Sequence, residues 1–226
     1  GKFAAYREKS ITTFRSAHFA LVETHSILEA PLAKGECYPV LLYTPSWSGI
    51  RTECTFQIEE LASHGYVVVG IDHPYCSKTV AFPDGRIARR KFLGEEDYSS
   101  DAAFNFFVQA ADQQIRLRAQ DARFVLDTLE RLNESDPVRL LTGSLDLARV
   151  GIFGFSLGGG TSAETCWLDR RFKAGLDMGG LMAGRSVEQG TFAPFFFMFE
   201  GMYESSPYTR GADISGITDR KRRDVE

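Results

Sequence analysis

Residues 150–160 have the sequence VGIFGFSLGGG, and the fold is predicted from this segment first. Its first four residues are apolar and predict a buried strand, and residues 161–168 behind it predict a helix. Between the two lies GFSLG, residues 154–158, with Ser156 at its centre in the pattern G-x-S-x-G. A chance match would be merely a flexible turn. A strand before the pattern and a helix after it favour a nucleophile elbow, in which a serine hydroxyl is exposed at the end of a strand.

Apolar strands and amphipathic helices alternate on both sides of this stretch. The predicted strands are 38–43, 66–71, 150–153, 172–178 and 194–199, and the predicted helices are 52–65, 111–133 and 161–168. This alternation predicts an α/β fold with a mostly parallel central sheet flanked by helices, in a single domain over 1–226. In such sheets the active site lies beyond the carboxyl ends of the strands, where Ser156 falls.

Some of these segments carry more specific expectations. Segment 66–71 is apolar throughout and predicts a central strand covered on both faces, and the aromatic run 195–197 predicts the core of a buried strand. The long irregular segment 72–101 indicates a functional loop. Helix 111–133 has one apolar face for the core. The charged residues that we expect off this face are Arg116, Arg118 and Glu130.

Composition and charge exclude several classes of function. The net charge is −4 and no long basic segment is present, so nothing indicates nucleic-acid binding. The longest apolar runs are far too short to span a bilayer. The four cysteines, Cys37, Cys54, Cys76 and Cys166, form no C-x-x-C pair, which argues against a zinc site or a redox motif. We expect no cofactor and no metal, and we leave oligomeric state, compartment and contact with a membrane surface open.

The elbow supplies part of an ester-cleaving site. A serine needs a base to take its proton and an oxyanion hole to receive the charge formed on the attacked carbonyl. The N–H of Leu157 is the first expected oxyanion donor, and the N–H of Trp47, in the loop after strand 38–43, is the second. For the catalytic acid we expect Asp177, which ends the strand after the elbow helix, with Glu200 at the end of the next strand as the alternative. A turn-capping role for Asp177 is an equally good interpretation.

The histidines are His18, His25, His64 and His73, and all of them precede Ser156. His73 directly follows a predicted strand, so it either fixes a loop through a hydrogen bond, which we favour, or acts as a relocated catalytic base. His64, beside Gly65 at the end of a predicted helix, is expected to contact the terminal carbonyls. The chain therefore offers a nucleophile without an assigned base.

Several segments together resemble the platelet-activating-factor acetylhydrolase family of α/β-hydrolases, from about residue 38 to residue 200. They are YPVLLY (38–43), GIRT (49–52), LASHGYVVV (61–69), DH (72–73), FPDGR (82–86), GFSLGG (154–159) and RFKAGLD (171–177). The resemblance implies the α/β-hydrolase fold and calcium-independent hydrolysis of short or oxidised acyl esters on phospholipids, with Ser156 as nucleophile and Trp47 and Leu157 as backbone donors.

In the α/β-hydrolase fold the triad histidine comes last in the chain. We therefore expect it beyond Glu226, and we expect the chain to be a fragment that is truncated at both ends and lacks the closing strand and helix of the fold. Its expected partner is a small-molecule or lipid ester.

Two other functions stay open. A hydrolase-fold protein without a base would be a catalytically silent binding protein. The presence of the triad histidine distinguishes an esterase from such a binding protein. A dienelactone-hydrolase-like or polyester-cleaving enzyme shares the elbow and the oxyanion hole, and differs in the residues that line the pocket.

Overall fold

The computed structural model describes residues 23–33, 37–91, 100–180 and 182–198. Within these ranges the strands are β1 (Tyr38–Thr44), β2 (Val67–Gly70), β3 (Thr79–Ala81), β4 (Ile87–Arg89), β5 (Leu145–Phe155), β6 (Phe172–Met178) and β7 (Phe195–Met198). The helices are α1 (Thr55–Ser63), α2 (Asp101–Glu134), α3 (Leu157–Leu168) and α4 (Arg185–Gln189). The predicted α/β fold class is confirmed.

Five of the strands form one parallel sheet in the order β2-β1-β5-β6-β7. The central strand, β5, pairs with β1 on one side and with β6 on the other. Thr44 of β1 and Asp177 of β6 both lie opposite Gly154 of β5. The carboxyl ends of these three strands therefore meet at one edge of the sheet, and Ser156 follows β5 at that edge.

Helices cover the two faces of the sheet. On one face α2 and α3 pack on Val40, Leu42, Val150 and Ile152. On the other face α1 packs beside Tyr43 and Phe153. Near the carboxyl edge a third apolar cluster joins the first half of α2 to the start of α3 and to the loop after β1, through Trp47, Phe107 and Leu157. This cluster ties the loop and the elbow into one packed unit.

Two expectations about the burial of strands are wrong. Among the described residues β2 lies at the edge of the sheet and is half-buried, because an apolar run in a parallel strand does not reveal how many neighbours it has. In β7 the side chains alternate between half-buried and exposed, and Phe196 is 62% exposed. The run 195–197 therefore packs on one side of the strand, where the rings of Phe195 and Phe197 contact each other at a tilt of 49°, with centroids 4.8 Å apart.

Helix α2 begins ten residues before the predicted start, at Asp101, where the Ser100 hydroxyl caps it by accepting from the N–H of Ala103. The residues on the predicted apolar face are buried, namely Ile115, Ala119, Ala122, Leu126 and Leu129. The segment after β2 holds the β3–β4 hairpin, which the sequence analysis missed. No helix in the described ranges combines the length and the hydropathy that a membrane span requires.

Candidate active site

The backbone of Ser156 has the geometry of a nucleophile elbow. Its φ is 54° and its ψ is −123°, a region that residues with a side chain rarely adopt. The Ser156 N–H donates to the carbonyl of Met178 at 3.0 Å, and its carbonyl accepts from the N–H of Gly159 at 2.8 Å. Sheet and helix thus hold this strained residue between β5 and α3, and the predicted elbow is confirmed as a structural feature.

Two glycines make this turn possible. A Cβ added at Gly154 would lie 2.2 Å from the backbone of Gly158, and a Cβ added at Gly158 would lie 2.0 Å from the carbonyl oxygen of Thr44. Carbon atoms do not approach other heavy atoms this closely, so only glycine fits at either position. The elbow therefore lies directly against the end of β1 and the loop that follows it.

The two predicted oxyanion donors lie on either side of this contact. Leu157 is the first residue of α3, so its N–H has no partner within the helix, and the positive end of the helix dipole lies there. The backbone N–H of Trp47 makes no hydrogen bond within the described residues. The indole ring of Trp47 is buried against Phe107, with ring centroids 5.0 Å apart. Within the part of the chain that the structure describes neither backbone N–H has an acceptor, and their role as oxyanion donors stays a prediction.

Asp177 is fully buried beside the elbow helix. A Cβ added at Gly159 would lie 1.7 Å from its Oδ1, so the carboxyl lies against the helix backbone. Burial raises the pKa of Asp177 to about 7, and the nearby N–H of Gly180 lowers it in part, without the geometry of a full hydrogen bond. Asp177 is thus placed at the carboxyl end of β6, and its role as the catalytic acid stays a prediction.

The raised pKa of Asp177 predicts a pH dependence of stability. The folded protein holds the proton on the Asp177 carboxyl more tightly than the unfolded chain does. Protonated Asp177 therefore contributes to the free energy of unfolding below about pH 4, and this contribution is lost as the pH rises through about 7. We expect the free energy of unfolding to fall by on the order of 4 kcal/mol over this interval relative to Asp177→Asn. Urea unfolding of the 226-residue chain and of its Asp177→Asn variant between pH 4 and pH 8 measures the difference.

Asp169 provides the matched control for this experiment. Burial raises its pKa, but hydrogen bonds from Arg171 outweigh burial and lower the pKa overall. Ionised Asp169 therefore contributes to the free energy of unfolding at neutral pH, and this contribution is lost as the pH falls. The trend is opposite to that of Asp177, and Asp169→Asn removes it. A difference between the wild-type protein and Asp177→Asn that does not change with pH would contradict the buried, protonated carboxyl.

His73 is fully buried at the end of β2, and both of its ring nitrogens have partners. Its Nδ1 lies 2.8 Å from a carboxylate oxygen of Asp121 and its Nε2 lies 2.9 Å from the Thr44 hydroxyl. Burial lowers the pKa of His73, although the bond with Asp121 opposes this. The favoured prediction, a loop-fixing role, is confirmed, and these contacts leave no nitrogen for Ser156.

The other histidines in the described ranges lie away from the elbow. His25 is exposed, with its Nδ1 3.6 Å from Glu59. His64 bonds to the carbonyl of Glu60 at the end of α1, at 2.9 Å, as predicted for a helix terminus. His18 and Glu200, the alternative acid, lie outside the described residues.

Arg118 is a residue of this region that the sequence analysis placed wrongly. It was expected off the core face of α2, and its side chain is 0% exposed. Its guanidinium donates to the carbonyls of Pro45, Ser46 and Trp47, which form the loop after β1. Arg118 lies three residues after Ile115 and four before Ala122, so the helical period puts it on the core face. Its charge was taken as a sign of exposure, whereas an arginine is buried where the tertiary structure brings acceptors to it.

A serine at positive φ between a strand and a helix, at the carboxyl edge of a parallel sheet with helices on both faces, defines the α/β-hydrolase class. The comparisons with known proteins narrow this class. The family model described as platelet-activating factor acetylhydrolase, isoform II, matches residues 2–209, and the chain belongs to this family. The resemblance predicted from the sequence is confirmed.

Similar proteins carry related names. The platelet-activating factor acetylhydrolase of Cavia porcellus is 28% identical over 80% of this chain and 44% of its own length. A probable 1-alkyl-2-acetylglycerophosphocholine esterase of Arthroderma benhamiae is 27% identical over 67% of this chain and 34% of its own. Among solved structures, the ferulic acid esterase of Streptomyces cinnamoneus is similar with a TM-score of 0.61 and 29% identity, covering 77% of this chain and 46% of its own. The chain spans less than half the length of these relatives.

Proposed function

We propose that this chain carries the nucleophile and the oxyanion hole of a serine carboxylic-ester hydrolase that acts on short or oxidised acyl esters such as platelet-activating-factor-like phospholipids. The strained backbone of Ser156, held between β5 and α3, is the observation that carries this proposal. Membership in the acetylhydrolase family and the esterase names of similar proteins support it.

In the first step the Ser156 hydroxyl oxygen attacks the ester carbonyl carbon and its proton passes to a base. The carbonyl oxygen becomes negatively charged and accepts from the N–H groups of Leu157 and Trp47. Because both donors are fixed before the reaction, they stabilise this charge without reorganising. The C–O bond then breaks, the alcohol leaves with the proton from the base, and water cleaves the acyl-enzyme by the same sequence.

The base in this scheme is assigned to a residue outside the described ranges, because the three histidines within them are held elsewhere. Asp177 is the proposed acid that orients the base, and Glu200 is the alternative. An acid of this kind works as the anion. A protonated imidazole beside Asp177 would lower the pKa of its carboxyl from about 7 and ionise it.

Apolar side chains beside the elbow support an uncharged acyl group as the substrate moiety. Trp47, Phe107 and Leu157 form one buried apolar cluster at the carboxyl edge, and apolar surroundings disfavour a charged acyl group beside them. A second candidate is an aromatic acyl ester, which the structural similarity to a ferulic acid esterase favours. Both candidates use the same serine and differ in the acyl pocket.

A panel of esters tests the substrate class with the full-length protein. We expect kcat/KM to be at least tenfold higher for a 2-acetyl phospholipid than for a phospholipid with a long 2-acyl chain, because the protein belongs to a family described by its acetylhydrolase activity. Methyl ferulate as the better substrate would favour the second candidate. Binding of the phospholipid without turnover of any ester would favour the catalytically silent binding protein.

A further inference from the structure

One guanidinium organises the loop after β1. Arg118 donates from Nη1 to the carbonyls of Pro45 and Ser46, each at 3.0 Å, and from Nη2 to the carbonyl of Trp47 at 2.6 Å. Three consecutive backbone acceptors therefore converge on one side chain, which reaches them from the middle of α2. Gln114, one turn earlier on the same helix, accepts from Nη2 at 3.3 Å.

This arrangement fixes the direction of the Trp47 N–H. In a trans peptide the carbonyl of one residue and the N–H of the next lie in one plane and point in opposite directions. Because the Ser46 carbonyl points at Arg118, the Trp47 N–H points away from it. In the preceding peptide the Pro45 carbonyl points at Arg118, and the Ser46 N–H on its other side donates to Glu53 at 2.8 Å.

The same loop touches the elbow. The carbonyl oxygens of Thr44 and Pro45 lie where a Cβ at Gly158 would be, at 2.0 Å and 2.8 Å from it. A rotation of the peptides in this loop would therefore change both the direction of the second oxyanion donor and the packing of the elbow helix. A group that prevents the rotation acts on the oxyanion hole without touching the substrate.

A buried guanidinium is expensive to place in a core, and its position has few compensating charges. Burial lowers the pKa of Arg118, while Cys76 and Asp121 oppose this. Asp121 itself binds His73 at 2.8 Å. A buried arginine that only filled space could be replaced by a hydrocarbon side chain at a gain in stability. An arginine in this place, with three of its hydrogen bonds made to a single loop, is better explained by what the loop does.

We propose that Arg118 is a positioning residue of the oxyanion hole, which holds the loop 45–47 so that the Trp47 N–H is directed toward the oxygen of the reacting ester. This inference rests on the proposed function, since it assigns a role in the reaction at Ser156. Arg118 would then affect the reaction through the backbone of the loop 45–47 and not through a contact with the substrate.

The test compares Arg118→Lys and Arg118→Met with Arg116→Met in the full-length protein. Lysine keeps the charge but cannot serve three carbonyls with a planar fork, and methionine removes the hydrogen bonds. Arg116 lies on the same helix with a largely exposed side chain that pairs with Asp112, so it controls for the loss of an arginine from α2. Thermal unfolding identifies which variants are folded at the assay temperature.

Two readouts separate positioning from stability. The first is the split between kcat and KM for a short ester: we expect kcat to fall about 100-fold in Arg118→Met and about tenfold in Arg118→Lys, with KM within a factor of three. The second is the ratio of kcat for the ester to kcat for the matching thionoester, whose sulfur is a poor acceptor in an oxyanion hole. We expect this ratio to fall in both variants and to stay at the wild-type value in Arg116→Met.

If the methionine variant does not fold, the lysine variant decides. An unchanged ester-to-thionoester ratio in a folded Arg118 variant would overturn the inference and leave Arg118 as a residue of the core. Failure of the proposed function looks different: Ser156→Ala would then hydrolyse the ester as fast as the wild-type protein, whatever the Arg118 variants do.

Discussion

Replacing Ser156 with alanine is expected to lower kcat for ester hydrolysis by about 10⁴-fold or more, because no other group then forms the acyl-enzyme. The variant should fold as the wild-type protein does. Alanine adopts the same strained backbone at similar cost, and the hydrogen bonds of the elbow are made by backbone atoms. Steady-state hydrolysis of a short 2-acyl phospholipid by the full-length proteins measures the change, and circular dichroism verifies the fold.

Ser162→Ala is the matched control for this variant. Ser162 lies on the same helix, and its hydroxyl donates to the carbonyl of Gly158 at 2.9 Å, so its loss affects stability by about 1 kcal/mol and leaves the nucleophile in place. We expect kcat within a factor of three of the wild-type value. Equal loss of activity in the two variants would show that the helix, and not the Ser156 hydroxyl, sets the rate.

The second large effect is expected for Gly158→Ala. In an unhindered helix this change stabilises a protein by about 1 kcal/mol, because alanine is the better helix former. Here the added methyl would lie 2.0 Å from the Thr44 carbonyl and 2.8 Å from the Pro45 carbonyl, both of which are backbone atoms. We expect a loss of about 3 kcal/mol in the free energy of unfolding, measured in urea, and a fall in kcat of at least 100-fold as the oxyanion loop is displaced.

Gly65→Ala separates this clash from the general cost of replacing a glycine. Gly65 has a φ of +87° with open space where a Cβ would be, so alanine there strains only the backbone, by about 1 kcal/mol. It lies at the end of α1, and we expect kcat to be unchanged. If Gly158→Ala were as stable and as active as the wild-type protein, the close contact between elbow and β1 would be wrong.

The parts of the fold that the sequence predicted well are those that depend on local pattern. The elbow was found because an apolar strand, a glycine turn and a helix follow one another within residues 150–168. Strand β6 was predicted at its observed bounds, and β1, a short apolar run with clear ends, was predicted within one residue. The positions of His73 and His64 at the ends of a strand and a helix predicted that each would make a structural hydrogen bond, and both do.

The parts that were missed depend on what lies next to each element. The edge position of β2 and the exposed side of Phe196 are set by the number of neighbouring strands and helices, which an apolar run does not encode. Arg118 follows the same rule, because its acceptors lie more than seventy residues away in the chain. Arg116 and Arg118 are about 200° apart around the helix, so the periodicity alone puts them on different faces. What the sequence does not contain is the set of carbonyls that makes burial of Arg118 favourable.

A fluorophosphonate reports directly whether Ser156 is the nucleophile of an ester hydrolase. Such a reagent phosphonylates an activated serine and leaves other serines unmodified. We predict that the full-length protein gains one phosphonyl group, that peptide mapping places it on Ser156, and that Ser156→Ala gains none. Labelling of another residue, or none in a folded protein that binds the phospholipid, would contradict the account.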